Sequence, residues 1–144
     1  MTLTLTDEHY RRLLMLITLG EWMVNANRKE PDPEYEGLAA KIYGAAPGTP
    51  NDSFVEFDDE LGTWTSSEAL HEEAHALIDE YDDATFWEEL PSRLAERDLI
   101  AEQGERAVQA MRPDDRIRAL KSIVRDYAEE FEREGLGRVG ILEG

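Results

Sequence analysis

The sequence predicts a mainly α protein. We expect a single-domain helical bundle of five or six helices over residues 1–144, with room for a minor two-stranded β ribbon. Three observations lead there. Apolar residues recur every three or four positions over several long stretches. Capping residues precede those stretches, and glycine or proline follows them. A length of 144 residues with 41% hydrophobic content suits one domain built around one core.

The opening TLTLT alternates for a few positions and reads as a short edge strand or a tail. Thr6 can cap the first helix, with Asp7 and Glu8 in the turn where the helix dipole favours acids. Tyr10, Leu13, Leu14, Ile17 and Val24 form its apolar stripe, widened by Leu16, Leu19 and Met23. So broad a stripe predicts a central helix, ending near Arg28 before Pro31 and Pro33. Glu34 to Tyr43 reads as a short second helix with Tyr35, Leu38, Ala39, Ile42 and Tyr43 on one side. AAPGTPND breaks the pattern. Phe54, Val55 and Phe57 make a short strand or a packed loop, with Asp58, Asp59 and Glu60 in solvent.

A third helix is expected from Thr65, whose spacing to Glu68 is that of a capping box. Its buried stripe would be Leu70, Ala74, Leu77 and Tyr81, and Asp82 and Asp83 would close it. Thr85 and Glu88 repeat the capping box and would open the next helix, which Pro91 should kink. Gly104 interrupts, Glu105 to Met111 is a short helix, and Pro113 ends it. The last helix begins about Asp114. Its stripe is Ile117, Leu120, Val124, Tyr127 and Phe131, and Gly135 is its C-terminal cap. A further short strand is expected through Arg138 to Leu142.

Charge narrows the function classes. There are 33 acidic and 15 basic side chains, a net charge of −18. Such a chain repels phosphate backbones and anionic lipid, so neither direct nucleic-acid binding nor membrane association is expected. With no cysteine, thiolate metal sites and disulfides are excluded. The longest apolar run, Leu13 to Leu19, is too short to span a bilayer. Acids at Asp7, Glu8 and Glu21 flank it, which argues against a signal peptide, and a cytoplasmic location is expected.

One string has the look of a catalytic signature. His71-Glu72-Glu73-Ala74-His75 matches H-E-x-x-H. On a helix its histidines share a face one turn apart, where two imidazoles can bind zinc and Glu72 can polarise a bound water. Asp79, four residues on, extends the stripe to three candidate ligands. The string resembles the zinc-metalloprotease signature over five residues only, and the glycine and third histidine of the metzincin extension do not follow. The plainer reading places both histidines at the border of the buried face, ring partly covered and one nitrogen in water. On that reading no cofactor is expected, and zinc is the alternative.

Other groupings are weaker. Glu80 and Asp83 form an ExxD pair, and Glu129 and Glu132 an ExxE pair. Such spacings resemble those with which some all-helical nucleotide pyrophosphohydrolases hold Mg²⁺, though in reverse order, and pairs of this kind arise readily among so many acids. Trp22, Trp64 and Trp87 each lie beside apolar residues and read as core anchors. His9 is expected at the solvated end of the first helix.

The stretches LTDEHYRRLLMLITLGEWMVNAN and IDEYDDATFWEELPSRLAERDL resemble a group of small acidic bacterial proteins of uncharacterised function. The likeness rests on a helix leading into a G-x-W-x-x-N-A pattern, here Gly20 to Ala26, and covers under half the chain. The group's pattern does not include the two histidines of HEEAH, and it implies no functional residue. The expected function is a non-enzymatic interaction or regulatory module that binds a basic protein. One version is mimicry of nucleic acid, with carboxylates imitating phosphates. The rival is a zinc-dependent hydrolase built on His71, Glu72 and His75.

Overall fold

The computed structural model describes residues 2–140. Among them are five α-helices and one antiparallel pair of strands, a mainly α fold with a minor β ribbon. The order is α1 (Asp7–Asn25), α2 (Pro33–Tyr43), β1 (Val55–Asp58), β2 (Thr63–Ser66), α3 (Glu68–Gln103), α4 (Glu105–Gln109) and α5 (Pro113–Glu134). The chain divides into two compact units, Met1–Glu80 and Tyr81–Gly144. No helix among the described residues is long and apolar enough to cross a membrane.

In the first unit, Thr6 caps α1, its hydroxyl accepting from the His9 amide at 3.2 Å. Asp32 caps α2 in the same way and Pro33 occupies its first turn, where a missing N–H costs nothing. The core gathers Leu14, Ala39, Tyr43, Ala46, Val55 and Leu70, with Tyr10, Phe54 and Trp64 packed around it. Buried Asn51 donates to the Asp7 carbonyl at 3.0 Å and so pins the loop after α2 to the start of α1. The covered face of α1 is narrower than its apolar stripe. Only Leu14 and Thr18 are fully buried, and Leu16 and Met23 stand 64% and 59% exposed. Tyr35 and Leu38 of α2 are also exposed, and they line a shallow apolar groove of about 180 Å³ with Leu16 and Val24.

The ribbon pairs Val55 with Ser66 and Phe57 with Trp64. Phe57 and Trp64 meet edge to face at 5.5 Å, a cross-strand aromatic pair. Asp58 builds the turn. Its carboxylate accepts from the Glu60 and Leu61 amides at 2.8 and 2.9 Å, and Gly62 takes the left-handed φ of +66° that closes it. Thr65 is therefore a strand residue and does not cap a helix. Ser67 takes that place, its hydroxyl 3.4 Å from the Leu70 amide. The segment before α1 forms no strand. Arg138 to Gly140 form none either, and the rest of the strand expected there lies outside the described residues.

α3 is one helix of 36 residues where two were expected. Asp82 and Asp83 do not close it, and Thr85 does not open another. Neither signal forces a break, because no glycine or proline stands between them, and Asp83 instead accepts from the Trp87 indole one turn on at 3.2 Å. The helix continues through Pro91, which is buried. The N-terminal stripe of α3 also differs: Leu70, Ala74 and Ile78 are buried, whereas Leu77 and Tyr81 are 47% and 58% exposed. Steps of four residues, not four and three, set the covered face.

In the second unit Ala95, Leu99, Val108 and Phe131 are buried. Gly104, at φ +83°, separates α3 from α4, and Gly135, at φ +56°, ends α5 by donating to the Phe131 carbonyl at 2.9 Å. Leu120, Val124 and Tyr127 of the α5 stripe are partly buried, but Ile117 is 65% exposed.

Candidate functional site

The HEEAH segment lies on α3. His71, Glu72 and Asp79 are exposed, and His75 is half-buried. The two imidazoles do meet, with ring centroids 4.4 Å apart. Among the described residues, however, no group of three or more His, Asp or Glu side chains stands close enough together to hold a metal ion. Glu73 has a different task. Its two oxygens accept from Nη2 of Arg11 at 2.9 and 2.7 Å, and the Arg11 guanidinium stacks on Phe54, 3.6 Å from the ring centroid. The string thus contributes a clamp between α3 and α1, together with the buried Ala74. Glu80, Asp83, Glu129 and Glu132 are all exposed.

The more organised cluster of polar groups was not singled out by sequence. On α1, Leu14, Thr18 and Glu21 follow steps of four and three, so Thr18 and Glu21 continue the buried stripe that Leu14 begins. Tyr43, at the end of α2, is 2% exposed, and its hydroxyl reaches both. The Tyr43 oxygen is 3.0 Å from Thr18 Oγ1 and 2.8 Å from Glu21 Oε2, while Thr18 donates to the Leu14 carbonyl at 2.9 Å. Burial pushes the Tyr43 phenol well above its ordinary pKa, opposed by the Thr18 hydrogen bond and assisted by Glu21. Burial also raises Glu21. The Tyr43 hydrogen bond offsets part of that, and the charge of Glu36 on α2 adds to it.

Counting protons shows what this chain can do. The Leu14 carbonyl only accepts, and the single Thr18 proton can go either to it or to the Tyr43 oxygen. Tyr43 has one proton, and Thr18, Glu21 and Ser66 all hydrogen-bond with its hydroxyl. With Glu21 ionised, Tyr43 donates to it and the Thr18 hydroxyl is free to turn and donate to the Tyr43 oxygen. With Glu21 protonated, the carboxyl donates to Tyr43, Tyr43 donates to Thr18, and all three contacts are satisfied. The Tyr43 hydrogen bond favours the Glu21 carboxylate, and it is burial, the larger effect, that favours the neutral acid.

Glu21 and Tyr43 line a cleft of about 330 Å³ with Glu36, Thr63, Trp64 and Thr65. The hairpin supplies one wall and α1 and α2 the other. Gly44 lets the hairpin close on α2, because a Cβ there would meet the Trp64 ring at 3.3 Å and the Ala40 carbonyl at 3.1 Å. Trp64 is half-buried in this wall, as are Trp22 and Trp87 elsewhere, so none of the three is a fully enclosed anchor. The signal that could have found the cleft was an acid on the covered face of a largely apolar helix. It was hidden because the opposite wall comes from β2, a strand not anticipated.

A second group lies in the other unit. Tyr127 donates to Asp98 Oδ2, and Arg97 donates to Asp98 Oδ1 at 2.8 Å and to the Tyr127 oxygen at 3.1 Å. The Tyr127 hydrogen bond, then Arg97, hold the Asp98 carboxyl below its ordinary pKa. Its groups are mutually satisfied, and it reads as a tie between α3 and α5.

No protein family, curated protein or solved structure is matched by this chain.

Proposed function

We propose that this chain is a non-enzymatic interaction or regulatory module that takes a basic protein partner. The observation that carries the reading is its uncompensated acidity, 33 acidic against 15 basic side chains. Many of the arginines are already paired with acids on their own helix, as in Arg12–Glu8, Arg93–Glu89 and Arg125–Glu129. That leaves exposed carboxylates in excess, a field that steers cationic surfaces toward it and speeds encounter. The two-histidine face of α3 gives the zinc alternative only a pair of ligands to build on.

The test is affinity capture from the native host at about 50 and about 300 mM salt, followed by reconstitution from purified components. The expected partner is basic, binds stoichiometrically, and is lost at the higher salt. A reconstituted partner of acidic or neutral charge, or one indifferent to salt, overturns the reading.

A further inference from the structure

We propose that the cleft between the hairpin and α1–α2 is a binding site for a primary ammonium group, a lysine side chain of the basic partner being the occupant. This rests on the reading above and deepens it by naming the point of contact.

A deficit of cations around an acidic surface would not by itself define a site. Here two carboxylates from different helices, Glu21 and Glu36, line one concave space with an indole and the two threonines Thr63 and Thr65. The volume, about 330 Å³, is at the lower end of ligand clefts and is on the order of ten water molecules. It suits a slender chain ending in a small charged head. Negative potential is focused because Glu21 and Glu36 repel one another across it. A cation placed between them relieves that repulsion. The Trp64 indole gives the methylene stem an apolar surface to lie on.

The hydrogen bonding selects ammonium over guanidinium. Glu21 has one oxygen, Oε2, held by Tyr43 at 2.8 Å. A planar guanidinium fork gains most from a carboxylate that offers both oxygens side by side. An ammonium is a point charge with three donors that rotate to meet separate acceptors, and Glu21 and Glu36 are separate acceptors on two helices.

Occupancy is linked to pH through Glu21. Every titratable group lining the cleft belongs to this set: Glu21 on α1, and Glu36 and Tyr43 on α2, with none from the hairpin wall. Without a cation, burial and the charge of Glu36 favour the protonated acid, against the Tyr43 hydrogen bond. An arriving ammonium favours the carboxylate, so binding expels a proton and strengthens as pH rises through the elevated pKa of Glu21.

The experiment titrates the full chain with n-butylamine and, separately, n-butylguanidine, following the Trp64 indole N–H resonance by NMR. Saturable displacement of that resonance by butylammonium is expected, with butylguanidinium at least about threefold weaker. Glu21→Gln should weaken butylammonium by about tenfold or more, and Glu36→Gln by a smaller factor. Wild-type affinity should fall on acidification from neutral pH, and the Glu21→Gln variant should lose most of that dependence. Should Glu21→Gln perturb the fold, Glu36→Gln alone decides, because its side chain is outside the Tyr43 network. Absence of a saturable shift at Trp64, or equal binding by wild type and both variants, overturns the cleft. That failure would leave the basic-partner reading standing, since the captured partner and its salt dependence judge it separately. Conversely, saturation by butylammonium with only a non-basic partner captured upholds the cleft as an amine site and removes the protein partner.

Discussion

At the level of single side chains, two carboxyls respond to their surroundings in opposite directions. Glu21 is raised by burial and by Glu36. A raised acid contributes stability that is fully present below about pH 4.3, its unfolded value, and is lost as pH climbs through the folded value. Asp98 is lowered by Tyr127 and Arg97. A lowered acid contributes stability above about pH 3.9, lost as pH falls through the folded value. Chemical denaturation across pH 2–8 separates them. Glu21→Gln should gain stability relative to wild type on going from pH 4 to pH 7. Tyr127→Phe should cost about 0.5–1 kcal/mol at pH 7, the small size reflecting a pair in partial contact with solvent, and almost nothing at pH 2. Identical pH curves for wild type and both variants would contradict the assignments. Of these residues, Tyr127 was legible as part of the α5 stripe. Glu21 was not, because one acid among 33 gains meaning only from what stands opposite it.

Among the elements, α3 carries the sharpest lesson. Apolar positions on one helix offer overlapping stripes, and composition does not choose between Leu77 and Ile78. The face that neighbouring residues cover does choose, and it takes Ile78, which is 6% exposed. Ile78→Ala should therefore cost about 2–5 kcal/mol in denaturant unfolding, and Leu77→Ala under about 1 kcal/mol. The reverse order would return the stripe to Leu77 and Tyr81. The hairpin shows the same competition in another form. Thr65 and Glu68 have the spacing of a cap, but Thr65 is held by strand pairing with Glu56, and the cap moves to Ser67. The turn chemistry of Asp58 and Gly62 was present in the sequence and becomes decisive once Thr63–Ser66 is recognised as β-branched and aromatic enough to pair.

For the chain as a whole, charge dominates. A net charge of −18 repels itself in the folded state more than in an expanded one. The exposed ion pairs each contribute little. Raising salt from about 20 to about 300 mM should screen more repulsion than attraction and raise Tm by about 4 °C, the shift that roughly 1 kcal/mol produces at this length. A Tm that falls with salt in a thermal scan would show that the local ion pairs outweigh the net repulsion.

Local physics, read residue by residue, sufficed for the mainly α class, for the caps at Thr6 and Gly135, for the breaks at Gly104 and Pro113, and for the acidity that argues for a basic partner. Each depends on a neighbour within about one helical turn, or on a sum over the chain. Packing alone fixed the rest: which of two adjacent leucine-like positions is covered, that Asp82 and Asp83 fall inside one long α3, and that Glu21, Glu36, Tyr43 and Trp64 share a cleft. Those outcomes depend on residues tens of positions apart meeting in space, and helical or strand periodicity carries no information about which distant face will arrive.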